Sequence, residues 1–280
     1  MDIIDYSFLC LKGDGMNRDC LGMSGHSAWV MDGAMDGTLE LSETPGLLPA
    51  YLSFMHKSLY QELAVASVDK TLPQILADSI EAARVSFQAA VEFVPPYQHP
   101  SAALALIRFN ATSLECLCLG DTAILIKQEN DLWIVNDQRL EELDRQVAER
   151  MKQLCREKQI SVLAARELVL NQIRANRSKQ NTPFGYPTCG FEPGAALAAL
   201  YRTFPLTEGT EILLLSDGFA QIYSVFGIVE PEELFAYKNR FTEAAELLCA
   251  AQDADAECNR FPRLRKRDDA SALYLEIGNF

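Results

Sequence analysis

The chain is 280 residues long and carries 39 Asp and Glu against 25 Lys and Arg, a formal net charge of -14, with only 3 His. Its apolar fraction of 49% and charged fraction of 23% are those of a globular protein, so wholesale disorder is excluded. The acidic balance argues against nucleic acid or an anionic membrane as the main partner, because both would repel it. His26, His56 and His99 are too scattered for a multi-histidine metal site, so any metal must be held by carboxylates.

Residues 1–5 lack a basic region and already contain Asp2 and Asp5, so a secretory leader is not expected. No apolar run reaches the roughly 20 residues of a spanning helix. The 8 cysteines lack metal-type spacing and read as free thiols, with Cys116 and Cys118 alternating on a buried strand face. A soluble, cytoplasmic protein is the expectation.

Taken in chain order, His26–Met31 reads as a strand that stops at the turn signal Asp32-Gly33. Two helical patterns follow, Leu47–Ala66 and Leu72–Glu92, the second with Thr71 as N-cap and Pro73 in its first turn. Ala102–Phe109 and Leu114–Leu119 flank a hairpin turn, and Ala123–Lys127 and Leu132–Val135 flank another. The charged stretch from Arg139 to Asn176 is helical, broken near Gln159–Ser161, and leads into the Pro- and Gly-rich loop Asn181–Gly190. Strand Glu211–Leu215, a helical block at Glu230–Ala251 and strand Ala272–Ile277 complete the chain. Short strands joined by hairpins favour antiparallel sheets, with helix pairs on their outer faces. The expected class is α+β: a four-layer α/β/β/α sandwich in one domain over residues 1–280, with a helical insertion at about 139–190.

Aspartates recur at the ends of the apolar strands. Asp32-Gly33 follows one strand, Gly120-Asp121 another and Ser216-Asp217-Gly218 a third, while Asp268-Asp269 precedes the last. Asp-Gly alone makes an ordinary turn. Four such sites at strand edges, however, bring carboxylates together, and converged carboxylates must be protonated or hold divalent cations. An all-oxygen site suits Mg²⁺ or Mn²⁺.

This order of motifs resembles the metal-dependent protein phosphatases, the PPM or type 2C serine/threonine family. Asn17-Arg18-Asp19 resembles the early Asn-Glu-Asp element, and the strand ending at Asp32-Gly33-Ala34 resembles its bacterial Asp-Gly-Ala variant. Gly120-Asp121-Thr122, Ser216-Asp217-Gly218 and Asp268-Asp269-Ala270-Ser271 are similar to the remaining three elements. The resemblance implies that Asp32 bridges two catalytic metals and that the Gly33 carbonyl touches one of them. It implies further that Asp217 and Asp268 complete the first metal's shell and that Asp19 orders a metal-bound water. Asp121, with Asp217, would hold a third ion. The implied reaction is hydrolysis of phosphoserine or phosphothreonine by in-line attack of a metal-bridging hydroxide. A phosphorylated protein would be the substrate and a kinase a possible partner.

Two positions depart from the family pattern. Arg18 stands where members carry a metal-ligating Glu, and Asp14 where they carry a phosphate-holding Arg. An exchange of roles would let Arg18 reach the phosphate, with Asp36 or Glu40 supplying the carboxylate. A non-catalytic, partner-binding relative and a phosphatase of small esters are the competing readings. The basic run Arg260–Arg267 would steer an acidic substrate or simply offset local charge. Residues 141–175 would select a substrate or form a solvated pair, and Phe184 and Tyr186 would contact substrate or pack in turns. His26, His56, Trp29 and Trp133 read as structural, and no cysteine or serine sits in a nucleophile constellation.

Overall fold

The central apolar runs become strands that are covered on both faces. A computed structural model describes residues 1–35, 46–67, 69–94 and 99–279, and two five-stranded sheets run through them, antiparallel throughout. One sheet has the order β1 (Asp2–Leu11), β10 (Ala270–Gly278), β9 (Thr210–Leu215), β6 (Ala123–Gln128), β7 (Asp131–Asn136). The other runs β2 (Asp19–Ser24), β3 (Ser27–Ala34), β4 (Ser101–Phe109), β5 (Ser113–Leu119), β8 (Leu200–Pro205).

Period-two alternation divides each central strand between two cores. In β4, Ala105, Ile107 and Phe109 fill the space between the sheets, against Ile212 and Leu214 of β9 and Leu273 and Leu275 of β10. Leu104 and Leu106 point the other way, with Trp29 and Met31 of β3, onto α1 (Leu47–Val65) and α2 (Leu72–Ala90). Thr71 and Gln74 close the expected start of α2 as a capping box.

The charged stretch forms an antiparallel hairpin of α3 (Gln138–Lys158) and α4 (Val162–Arg177). It breaks at Gln159, which is left-handed with φ 53°, and restarts at Ser161, whose side chain accepts from the Ala164 N–H. The hairpin has its own small core, in which Val147, Met151 and Leu154 meet Val162, Ala165 and Val169, closed by Cys258. On the opposite side of the sandwich, Leu213, Leu215 and Tyr274 pack on α5 (Asp217–Ser224) and α6 (Phe241–Ala254). The result is the four-layer α/β/β/α sandwich.

Three differences from the sequence expectation bear on the site. The strand expected to stop before Asp32 continues through Asp32 and Gly33 to Ala34. Asp217, expected at a strand end, opens the unforeseen helix α5. The block Glu230–Ala251 splits into a 3-10 turn at Pro231–Tyr237 and a separate α6, because Arg240 leaves helical geometry at φ -142°. Among the described residues no helix is long and apolar enough to cross a membrane.

Candidate functional site

The register of one hairpin creates the core of the site. Asp19, the first residue of β2, stands directly opposite Asp32 near the end of β3. The Gly33 N–H donates to the Arg18 carbonyl at 2.9 Å, and a Cβ on Gly33 would lie 2.8 Å from that oxygen, so the two chain ends approach only through glycine. A second closure aligns α5 with β10: the Ser216 N–H donates to the Ser271 carbonyl at 3.0 Å, and the Ser271 N–H to the Ser216 hydroxyl at 2.9 Å. Gly218 sits so close beneath Asp269 that a Cβ would fall 1.9 Å from its carbonyl oxygen. These closures bring Asp32, Asp121, Asp217 and Asp268 to the wall of one cavity of about 210 Å³, with Arg18, Gly33 and Asp144. Asp19 lies buried behind it.

Burial and mutual repulsion raise the pKa values of these carboxyls. Asp19 is pushed up to about 7, chiefly by burial, with Asp269 and Asp268 adding repulsion. Asp217 rises to about 7, through burial and then the Asp268 charge. Asp32 and Asp121 are both raised well above the carboxylate range by burial, followed by the charge on Asp217. Asp268 rises only to about 6, because the Arg18 guanidinium opposes its burial. Both carboxyl oxygens of Asp19 and the Oδ1 of Asp217 are buried without a hydrogen-bond partner among the described residues. Orphaned buried oxygens of this kind are costly unless a proton or cation meets them.

Arg18 is the departure with the largest geometric consequence. Its Nη2 lies 3.3 Å from Asp268 Oδ1 and its Nε 3.2 Å from Asp269 Oδ2, while its backbone N–H donates to the same Asp269 oxygen at 3.0 Å. Arg265 adds a second guanidinium 3.3 Å from Asp268 Oδ1. Among the described residues Asp268 therefore has cationic partners in Arg18 and Arg265. Among the described residues no three His, Cys, Asp or Glu side chains form a ready cation cage. The unpartnered oxygens of Asp19 and Asp217 and the all-oxygen donor set nevertheless fit a hard divalent cation. Asp36 and Glu40, the carboxylates expected to replace a missing ligand, lie outside the described residues.

The whole chain is similar to solved phosphatase structures. The catalytic domain of the serine/threonine protein phosphatase PstP, in complex with two manganese ions, matches with a TM-score of 0.57 at 14% identity, covering 100% of both chains. The Mycobacterium tuberculosis serine/threonine phosphatase PstP/Ppp matches with a TM-score of 0.59 at 14% identity, over 99% of this chain and 100% of that one. Stp1 from Staphylococcus aureus gives 0.57 at 12% identity, over 100% and 98%. The chain has the fold of the PPM serine/threonine phosphatases. No family model and no curated protein matches it in sequence.

Within this PPM fold, the α3–α4 hairpin contributes residues that sequence reasoning passed over. Asp144 of α3 lines the carboxylate cavity, and burial followed by the charges of Asp121 and Asp268 raises it to about 7. In the sequence it is one acid in a charged helix, and nothing local distinguishes it from its solvated neighbours. Arg166, Arg174 and Arg177 of α4 reach the same cavity. Tyr186 is buried and lines it, whereas Phe184 is 96% exposed and points away from any packing. The basic run before Asp268 is largely paired: Arg263 with Asp255 at 2.8 Å, Lys266 with Asp253 at 3.0 Å, and Arg267 also with Asp253. That pairing favours a braced loop over a free steering patch. Trp29 is fully buried against the helices, the His56 ring lies tilted beside it at 5.3 Å, and all 8 cysteines are free thiols.

Proposed function

We propose that this chain is a metal-dependent phosphatase acting on phosphoserine or phosphothreonine, with residues 1–280 as one catalytic domain and the α3–α4 hairpin as its flap. One observation carries the reading: in a PPM fold, Asp32, Asp121, Asp217 and Asp268 line a single cavity, with unpartnered oxygens on Asp217 and on Asp19 behind it. Asp32, Asp217 and Asp268, with the Gly33 carbonyl, are the groups that would hold Mn²⁺ or Mg²⁺, and Asp121 would add to a further ion. When bound, divalent cations supply an acidified water and neutralise phosphoryl oxygens. The chain's own residues set the geometry. Asp19, buried behind the cavity beside Ser216 and Ser271, would orient a water there and accept its proton. Arg18 holds Asp268 and Asp269 in place and offers positive charge at the cavity wall. A phosphorylated protein is the substrate class, a cognate kinase the implied counterpart, and the cytoplasm the expected compartment.

The same Arg18 contacts favour a second reading, in which the chain keeps the fold as a non-catalytic partner-binding module. The deciding experiment is turnover of p-nitrophenyl phosphate and of a phosphothreonine peptide, with Mn²⁺ and with chelator. The expected result is Mn²⁺-dependent turnover of both, abolished in Asp32→Ala. Absence of turnover at every metal concentration overturns the enzyme reading in favour of the module.

A further inference from the structure

A second cavity, of about 720 Å³, opens beside the carboxylate cavity and shares Arg18, Met35, Arg166, Leu264 and Arg265 with it. Met16, Met35, Leu48, Pro49, Val162 and Leu264 give it an apolar lining. Arg18, Arg166, Arg265 and Lys266 give it cationic walls, in a chain whose net charge is -14. Three of these four cations are engaged: Arg18 with Asp268 and Asp269, Arg265 with Asp268, Lys266 with Asp253. Arg166 differs. It stands in the second turn of α4, at the junction of the two cavities, and its Nε is buried with no hydrogen-bond partner among the described residues. A buried guanidinium N–H left unsatisfied costs free energy that an incoming anion recovers, and the planar fork suits a phosphoryl group in particular.

Asp14 cannot serve that purpose. It lines the same trough, but its carboxylate accepts the Arg267 N–H at 3.0 Å and its own N–H donates to the Arg267 carbonyl, so it braces the basic loop. The flap thus presents over an acidic floor a guanidinium whose Nε has no hydrogen-bond partner among the described residues.

We propose that Arg166 captures the phosphoryl group of the substrate and that the adjoining trough seats an apolar side chain flanking the phosphorylated residue of a polypeptide. The assignment rests on the phosphatase reading and narrows its substrate class. A phosphoryl group alone would leave the apolar trough empty, and a wholly apolar ligand would leave the cationic walls unmatched. A phosphorylated segment with an apolar neighbour matches both.

The test compares wild type with Arg166→Met and Arg166→Lys, with Arg166→Gln as a further variant should the first not fold. Calorimetric titration with inorganic phosphate in the presence of Mn²⁺ is expected to weaken about tenfold in Arg166→Met, as expected for loss of one charge-assisted contact, and to be partly restored in Arg166→Lys. Kinetically, KM for a phosphothreonine peptide should rise by a similar factor with a smaller change in kcat. Wild type should prefer a Leu-flanked phosphopeptide over a Gly-flanked one, and Met16→Gln should reduce that preference. Unchanged phosphate affinity and KM in Arg166→Met overturn the capture role. Equal use of both peptides, or turnover of p-nitrophenyl phosphate alone, overturns the trough's occupant. If wild type turns over no substrate, the phosphatase reading falls, whereas phosphate binding that depends on Arg166 keeps the anion site.

Discussion

Asp19 and Asp32 are cross-strand partners, placed side by side by the register of β2 and β3. Like charges directly opposite one another in an antiparallel pair destabilise it, and here both are also taken out of water. The pair therefore stores a repulsion that a proton or a divalent cation relieves. A site built this way trades stability for binding.

The first prediction follows from that repulsion. Asp19→Asn should raise the stability of chelator-treated protein by roughly 0.5–1 kcal/mol. The same substitution should shrink the rise in Tm produced by Mn²⁺. Thermal denaturation of wild type and variant, with chelator and with Mn²⁺, checks both. A variant less stable than wild type in chelator would contradict the stored repulsion.

The pH dependence has a definite sign. Asp19 and Asp217 are raised to about 7 and Asp268 to about 6 from an ordinary value of 3.8. The folded state thus keeps protons that the unfolded chain releases near pH 4. Their contribution to metal-free stability is complete below pH 4 and is lost as pH rises through 6 to 7. Urea unfolding in chelator should show lower stability at pH 8 than at pH 5. Mn²⁺ should narrow the difference, because it binds the ionised carboxylates. Equal stability at the two pH values would count against the raised pKa values.

Arg18 offers a separate test. Its side chain is 12% exposed and that of Asp269 only 4%, so their ion pair is largely shielded from water. Arg18→Ala should destabilise the protein by about 3 kcal/mol, the cost of leaving a buried charge uncompensated. Arg18→Glu supplies a carboxylate in place of the guanidinium and should increase the number of Mn²⁺ ions bound, read by titration calorimetry. A single bound metal in both wild type and Arg18→Glu would rule out the exchange of roles.

Gly218 tests the closure under Asp269. A Cβ there would lie 1.9 Å from a backbone oxygen, a clash that no side-chain rotation relieves. Gly218→Ala should cost on the order of 3 kcal/mol. It should also displace Asp217 and Asp268 together, weakening Mn²⁺ binding. Unfolding and metal titration on the same variant measure both effects.

Much of the sandwich was legible because strand signals are local. Ala102–Phe109 and Leu114–Leu119 are runs apolar but for Arg108 and Glu115, bounded by turn residues, and they became β4 and β5 to within one residue. The sheet margins were less legible. β1 exposes Ile4, Tyr6 and Phe8 on one side and is only half-buried on the other, so its pattern carries no clear core face. β8 is likewise a margin strand, paired among the described residues with β5. Helix α5 was missed because its eight residues are too few to establish a helical period by themselves.

The sequence by itself determined the alternation of apolar runs and turns, and with it the antiparallel sandwich and the aspartates that punctuate it. These are local properties, since a strand's period and an Asp-Gly turn depend on neighbours in the chain. Only the tertiary structure decided which charges meet. Arg18 reaches Asp268 and Asp269 across some 250 positions, and Asp144 and Arg166 come to the site from a hairpin whose sequence reads as solvated surface. The long-range ladder and the Gly218 and Gly33 contacts bring these groups together, and electrostatic consequences depend on separation and burial, which no single segment encodes.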